Sequence, residues 1–158
     1  MRVSLFLDTS AIVKRYVTET GSEWVVMRCK QTADYAIILS YATLAEAVTA
    51  FCRKARQQDL SQRISDSDRD HYIRLFRQDV EQQYSLVDVT KAVYIHAGDL
   101  CCIHKLRAYD AIQLACALKA SDEFVALGKT APVFVTADTD LLSIAEAEGL
   151  DTRNPNAY

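Results

Sequence analysis

Apolar residues fall along this chain in two rhythms, short unbroken runs and longer stripes at helical spacing, and the two alternate. The runs are VSLFL at 3–7, YAIILS at 35–40, YSLVDV at 84–89 and PVFVTA at 132–137. A short continuous apolar run is what a strand buried on both faces requires, so these predict four strands. A short fifth strand is expected near 151–153. Between the runs, TSAIVKRYV predicts a helix with Thr9 or Ser10 as its N-cap, and TGSEWVVMRCKQ a second with Ser22 as its cap. TLAEAVTAFCRKARQQ carries a stripe at Leu44, Val48, Phe51 and Ala55, and SDSDRDHYIRLFRQDVEQQ one at Tyr72, Leu75, Phe76 and Val80. Together they predict a helical hairpin arm over about 42–83. KAVYIHAGDLCCIHKL predicts a helix. YDAIQLACALKA is apolar nearly all round and should be the most buried helix. Residues 121–131 are ambiguous, with Gly128 and Pro132 marking a helix end. DTDLLSIAEAEGL predicts the last helix, closed by Gly149.

Strands that alternate with helices predict a parallel sheet covered on both faces, in a single domain. Composition narrows the picture. Four glycines and two prolines in 158 residues are too few for an all-β hairpin design. A net charge of −3 excludes a uniformly basic nucleic-acid binder, so a nucleic-acid partner would need a local basic patch or a metal bridge. The five cysteines are odd in number and form no C-x-x-C pair, which suits buried free thiols in a reducing cytosol. The chain shows no secretory signal and no apolar stretch of membrane-spanning length, so a cytoplasmic, membrane-free protein is expected.

The chemistry lies in four carboxylates. Ligands of open parallel sheets bind beyond the carboxyl ends of the strands. Asp8 follows the first strand and Asp138 stands just past FVT. Glu46 sits in a helix among small neighbours, Ala42, Thr43, Thr49 and Ala50, and Asp110 opens the apolar DAIQLACAL. Taken singly, each aspartate reads equally well as an N-cap and Glu46 as a solvated helix residue. Taken as a set, four gathered carboxylates repel one another and call for a cation. Hard oxygen donors without a His/Cys cluster point to Mg²⁺ or Mn²⁺, the usual equipment for cutting phosphodiesters.

LFLDTSAIVKRY, LAEAVTAF, LRAYDAIQLACAL and FVTADTDLLSIAEAEGL resemble, in order and spacing, the four signature blocks of PIN domains, and most of all those of VapC toxins. The closing GLDTRNP resembles that family's tail, so the likeness spans nearly all of 1–158. The resemblance implies a three-layer α/β/α sandwich around a mostly parallel four- to five-stranded sheet, and a Mg²⁺- or Mn²⁺-dependent endoribonuclease. It puts the four acidic positions on Asp8, Glu46, Asp110 and Asp138, with Asp8, Asp110 and Asp138 as the main metal ligands. It matches supporting hydroxyls to Thr136 and to Thr9 or Ser10. Asp140 is a second candidate for the fourth position; Asp138 keeps the T-x-D spacing. The resemblance also implies a homodimer and a small antitoxin partner.

Lys14 and Arg15, close after Asp8, are candidates to touch RNA phosphate, and the arginines of the arm are read as solvated unless they reach the groove. Tyr41 and Tyr109 are the tyrosines placed for base stacking. His71, His96 and His104 share no metal-ligand spacing. Two rival readings stand beside the nuclease: a PIN-like binding module with an inert acidic set, and a phosphatase of haloacid-dehalogenase type. The latter expects D-x-D, and position 10 is Ser.

Overall fold

The computed structural model describes residues 3–30 and 34–158. Five parallel strands, β1 (Val3–Leu7), β2 (Tyr35–Ser40), β3 (Tyr84–Val87), β4 (Val133–Val135) and β5 (Thr152–Arg153), lie in the order β3-β2-β1-β4-β5. Successive strand residues face opposite sides, and this alternation builds two cores. Leu5, Leu7, Ile37, Leu39 and Val135 face one side. There they meet α1 (Thr9–Ile12), α2 (Ser22–Arg28), α3 (Ala42–Ala55) and α4 (Asp66–Gln82) through Ile12, Val25, Phe51 and Phe76. Phe6, Ile38, Val87 and Phe134 face the other side and meet α5 (Lys91–Ile103), α6 (Ala108–Ala126) and α7 (Thr139–Ala147). The result is the expected three-layer α/β/α sandwich.

The register carries each strand to one edge. Phe6 pairs with Ile38 and with Phe134, and Ile38 with Ser85. The chain builds outward from β1 through β2 to β3, then returns to add β4 on the other side. The strand order therefore reverses between β1 and β4, and such a reversal opens a crevice at the carboxyl edge.

Several local readings change. The helix expected over TSAIVKRYV is one α-turn, α1, tightening into a 3₁₀ turn over Val13–Arg15. Its cap is Asp8, because Thr9 and Ser10 already lie inside the helix and use their hydroxyls elsewhere. Ser22 is likewise inside α2. Gly21 precedes it at φ 82, where a Cβ would stand 2.6 Å from the carbonyl oxygen of Pro155. Gln31, where the second helix is read to end, lies outside the described residues. The ambiguous stretch after Ser121 continues α6 to Ala126. Cys29 and Cys116 are buried thiols, but Cys101 and Cys102 are exposed on α5. The two helices of the arm pack through Phe51, which touches Phe76, Tyr72 and Tyr16. Among the described residues, no helix is long and apolar enough to cross a membrane.

Candidate active site

At the reversal point the sheet edge opens into a cleft of about 740 Å³ onto which Asp8, Glu46, Asp110 and Asp138 all border. The cleft therefore brings together all four carboxylates marked by the sequence.

Asp8 is held most firmly. Its backbone N–H still donates to the Val135 carbonyl, continuing the β1–β4 ladder by one bond. Its side chain is 4% exposed. Oδ1 accepts from the Ala11 N–H at 2.9 Å and the Ser10 hydroxyl at 2.7 Å, while Oδ2 accepts from the Thr136 hydroxyl at 2.7 Å. Asp8 is thus both cap and cleft residue. Burial pushes its pKa up to about 6; the bonds from Thr136, Ser10 and Ala11 pull it down, and the charge of Asp110 adds to the rise. Ser10 also accepts from the Ala137 N–H at 2.9 Å, and Thr136 from the Asp138 N–H at 3.1 Å. These two hydroxyls stitch the ends of β1 and β4 together around the carboxylate.

Asp138 caps α7 with one oxygen, Oδ1, which accepts from the N–H groups of Asp140 and Leu141 at 2.9 and 3.1 Å. Asp140 is exposed and does not line the cleft. Asp110 lies half-buried in the first turn of α6; burial raises its pKa, Asp138 adds to the rise, and Arg107 opposes it. Glu46 projects from α3, and its Oε2 accepts from the Thr9 hydroxyl at 2.9 Å and the Gln113 amide at 2.6 Å.

Gln113 is the residue that sequence reasoning missed. It stands one turn after Asp110 on α6, and it is the long polar side chain inside DAIQLACAL. That breach of an all-apolar helix was the available signal. Its Nε2 also lies 2.9 Å from the Thr43 hydroxyl.

The basic candidates are redistributed. Lys14 borders the cleft but is 5% exposed, with Nζ 3.0 Å from Glu19 Oε1 and donating to the Thr20 carbonyl at 2.8 Å. Lys54 holds the other Glu19 oxygen at 2.7 Å. Arg15 does not line the cleft: it turns to the Tyr84 hydroxyl and the Cys29 carbonyl and pairs with Asp79 at 3.0 Å. Its expected phosphate contact is therefore corrected, since its guanidinium is already engaged by partners outside the cleft lining. Arg53 and Arg107 instead border the cleft, exposed and without an ion pair among the described residues. Tyr109 is exposed on the rim, whereas Tyr41 is exposed but outside the lining. His104 pairs with Glu148 at 2.6 Å, and none of the three histidines lines the cleft.

Comparison with known proteins gives this arrangement a context. The PIN domain family model matches residues 5–147, most of the chain. The chain belongs to the PIN-domain family. Among curated PIN-type relatives, it is 34% identical over 119 residues to the ribonucleases VapC45 and VapC49 of two Mycobacterium tuberculosis strains. Each match covers 75% of this chain and 77% of the relative. Among solved structures, VapBC2 from Rickettsia felis, bound to a DNA fragment from their promoter, superposes with a TM-score of 0.59. That match has 12% identity and covers 96% of this chain and 98% of that one. At that identity the likeness speaks for the PIN fold alone.

A divalent cation can be tested against the donors. The cleft offers carboxylate and hydroxyl oxygens without His or Cys, the hard donor set of Mg²⁺ and Mn²⁺. Burial, with repulsion from neighbouring carboxylates, raises the pKa of both Asp8 and Asp110, a cost that a cation would offset. Among the described residues, no three such side chains converge closely enough to enclose an ion by themselves. The donor chemistry fits, with waters needed to complete any coordination shell.

Proposed function

We propose that this chain is a Mg²⁺- or Mn²⁺-dependent endoribonuclease, the toxin of a VapBC-type pair. The observation that carries the reading is the cleft itself, where the carboxylates from β1, α3, α6 and the β4 end border one opening beside free arginines. The ribonuclease names of the curated relatives support the substrate class.

Asp8, Asp110 and Asp138 are the residues that would hold the cation, and Thr136 and Ser10 keep the Asp8 carboxylate aimed. When bound, the cation supplies a Lewis acid that lowers the pKa of water and neutralises charge on the scissile phosphate. Glu46 orients the attacking water or takes its proton in an in-line displacement. Arg53 and Arg107 hold flanking phosphates through sequence-independent charge, and Tyr109 offers a face for stacking an unpaired base. A small antitoxin is the partner, as in the toxin–antitoxin complexes among the structural neighbours. A second copy of the chain is the other partner, supported by the exposed Tyr94, Ile95 and Ile103 of α5.

Induced expression tests the reading in cells. Growth arrest with fragmented RNA is expected for the wild type, none for Asp110→Asn, and relief by any small antitoxin that an adjacent reading frame encodes. Equal arrest by both variants would contradict it. The phosphatase reading predicts release of phosphate from aryl phosphates, and the inert-module reading predicts no EDTA-sensitive cleavage.

A further inference from the structure

We infer that Gln113 is a positioning residue that fixes the orientation of the Glu46 carboxylate, engaging one oxygen and leaving the other free toward the cleft. Gln113 borders the cleft yet is only 2% exposed. Its Nε2 lies 2.6 Å from Glu46 Oε2, 2.9 Å from Thr43 Oγ1 and 3.2 Å from Thr9 Oγ1. An amide carries two N–H donors, and the two shortest contacts use both. Thr9 meanwhile donates its own hydroxyl to the same Glu46 oxygen at 2.9 Å. Glu46 Oε2 is therefore saturated by two donors from α1 and α6, and among the described residues Oε1 takes no hydrogen bond. Any twist of the carboxylate short of a half-turn, which merely exchanges its equivalent oxygens, breaks both bonds, so one oxygen stays engaged and the other is left for chemistry.

The other end of the amide sharpens the inference. Gln113 Oε1 is buried and makes no hydrogen bond among the described residues. An orphaned buried acceptor costs about 1–3 kcal/mol. Turning the amide over would aim that oxygen at a carboxylate oxygen 2.6 Å away and remove the donor. The demand of Glu46 for a donor thus outweighs the amide's own satisfaction. A leucine of similar size would fill the site without an orphan, so packing alone does not call for glutamine here. The signature is that of a group which acts through its neighbour.

This inference rests on the nuclease reading for its kinetic arm only, and a mutant cycle with NMR separates the two. Gln113→Leu removes the donor and the orphan together; Gln113→Met keeps the unbranched shape and removes the donor without adding a charge, and serves if the leucine variant fails to fold. With Mn²⁺ and an RNA oligonucleotide, either variant is expected to lower kcat about 10- to 100-fold, the usual loss when a partner behind a reactive group is removed. KM for RNA should stay within about twofold, and the melting temperature of the leucine variant should not fall. In a Glu46→Ala background the same substitution should cost less than about threefold more, since a positioning residue has nothing left to position. Equal losses with and without Glu46, or wild-type turnover in Gln113→Leu, would overturn the inference. Independently, the Gln113 side-chain amide resonances should shift in Glu46→Ala, and unmoved resonances would overturn the pairing. If the wild-type chain cleaves no RNA, the nuclease reading falls and the amide resonances alone decide: movement upholds the pairing, and its absence overturns it.

Discussion

Asp8 shows how one residue serves fold and chemistry at once. It closes α1, joins β1 to β4 through Thr136, and still borders the cleft. Its folded-state pKa of about 6 exceeds the ordinary 3.8, so between those values the folded chain keeps a proton that the unfolded chain has lost. Stability from this group therefore falls as pH rises through that window, and above about 6 the fold carries a penalty on the order of 3 kcal/mol. In EDTA, the melting temperature should rise as pH is lowered from 7.5 to 5, and Asp8→Asn should flatten that slope. Melts across a pH series check this; an unchanged slope in the variant would contradict it. The four acidic positions were legible because each broke its local pattern. Gln113 broke its pattern equally, but an amide in a helix reads as ordinary until its neighbours in space are known. Arg15 misled for the opposite reason: sequence proximity to Asp8 says nothing of side-chain direction once a 3₁₀ turn intervenes.

Among the elements, α3 does most to connect fold and site. One face carries Glu46 toward the cleft, while Phe51 is fully buried against Tyr16, Tyr72 and Phe76. Phe51→Ala should cost about 3–5 kcal/mol by denaturant unfolding, the range for a large aromatic removed from a core. Glu19 ties this helix to the loop before α2 through Lys54 and Lys14. Burial alone would raise the Glu19 pKa, but the two ammonium groups hold it below its ordinary value. Its contribution is thus present above the ordinary glutamate pKa and lost as pH falls through the lower folded value. Glu19→Gln should loosen the arm, seen as faster amide exchange over 42–55 at neutral pH with little change in α5. Strand positions were legible from unbroken apolar runs and the helical stripes from their period, although the end of α6 was not. Nor was the cap of α1, because Asp8-Thr9-Ser10 offers three adjacent capping residues and tertiary bonds to Glu46, Ala137 and Thr136 decide among them.

For the whole molecule, alternation of strand and helix foretold the parallel sheet, but not its strand order. That order comes from which faces must be covered, and it alone explains why residues 8, 46, 110 and 138 share one cleft. α5 leaves Tyr94, Ile95 and Ile103 exposed. If a second copy covers this face, light scattering gives a dimer for the wild type and a monomer for Ile95→Glu; a monomeric wild type would contradict the pairing.

The most direct measurement is single-turnover cleavage of labelled RNA by the purified chain across a Mn²⁺ titration, beside Asp8→Asn checked by melting. The wild type should cut only with metal and stop in EDTA, while the variant stays folded and silent at every concentration. Cleavage by a folded Asp8→Asn at the wild-type rate, or cleavage by the wild type in excess EDTA, would contradict the metal-dependent mechanism.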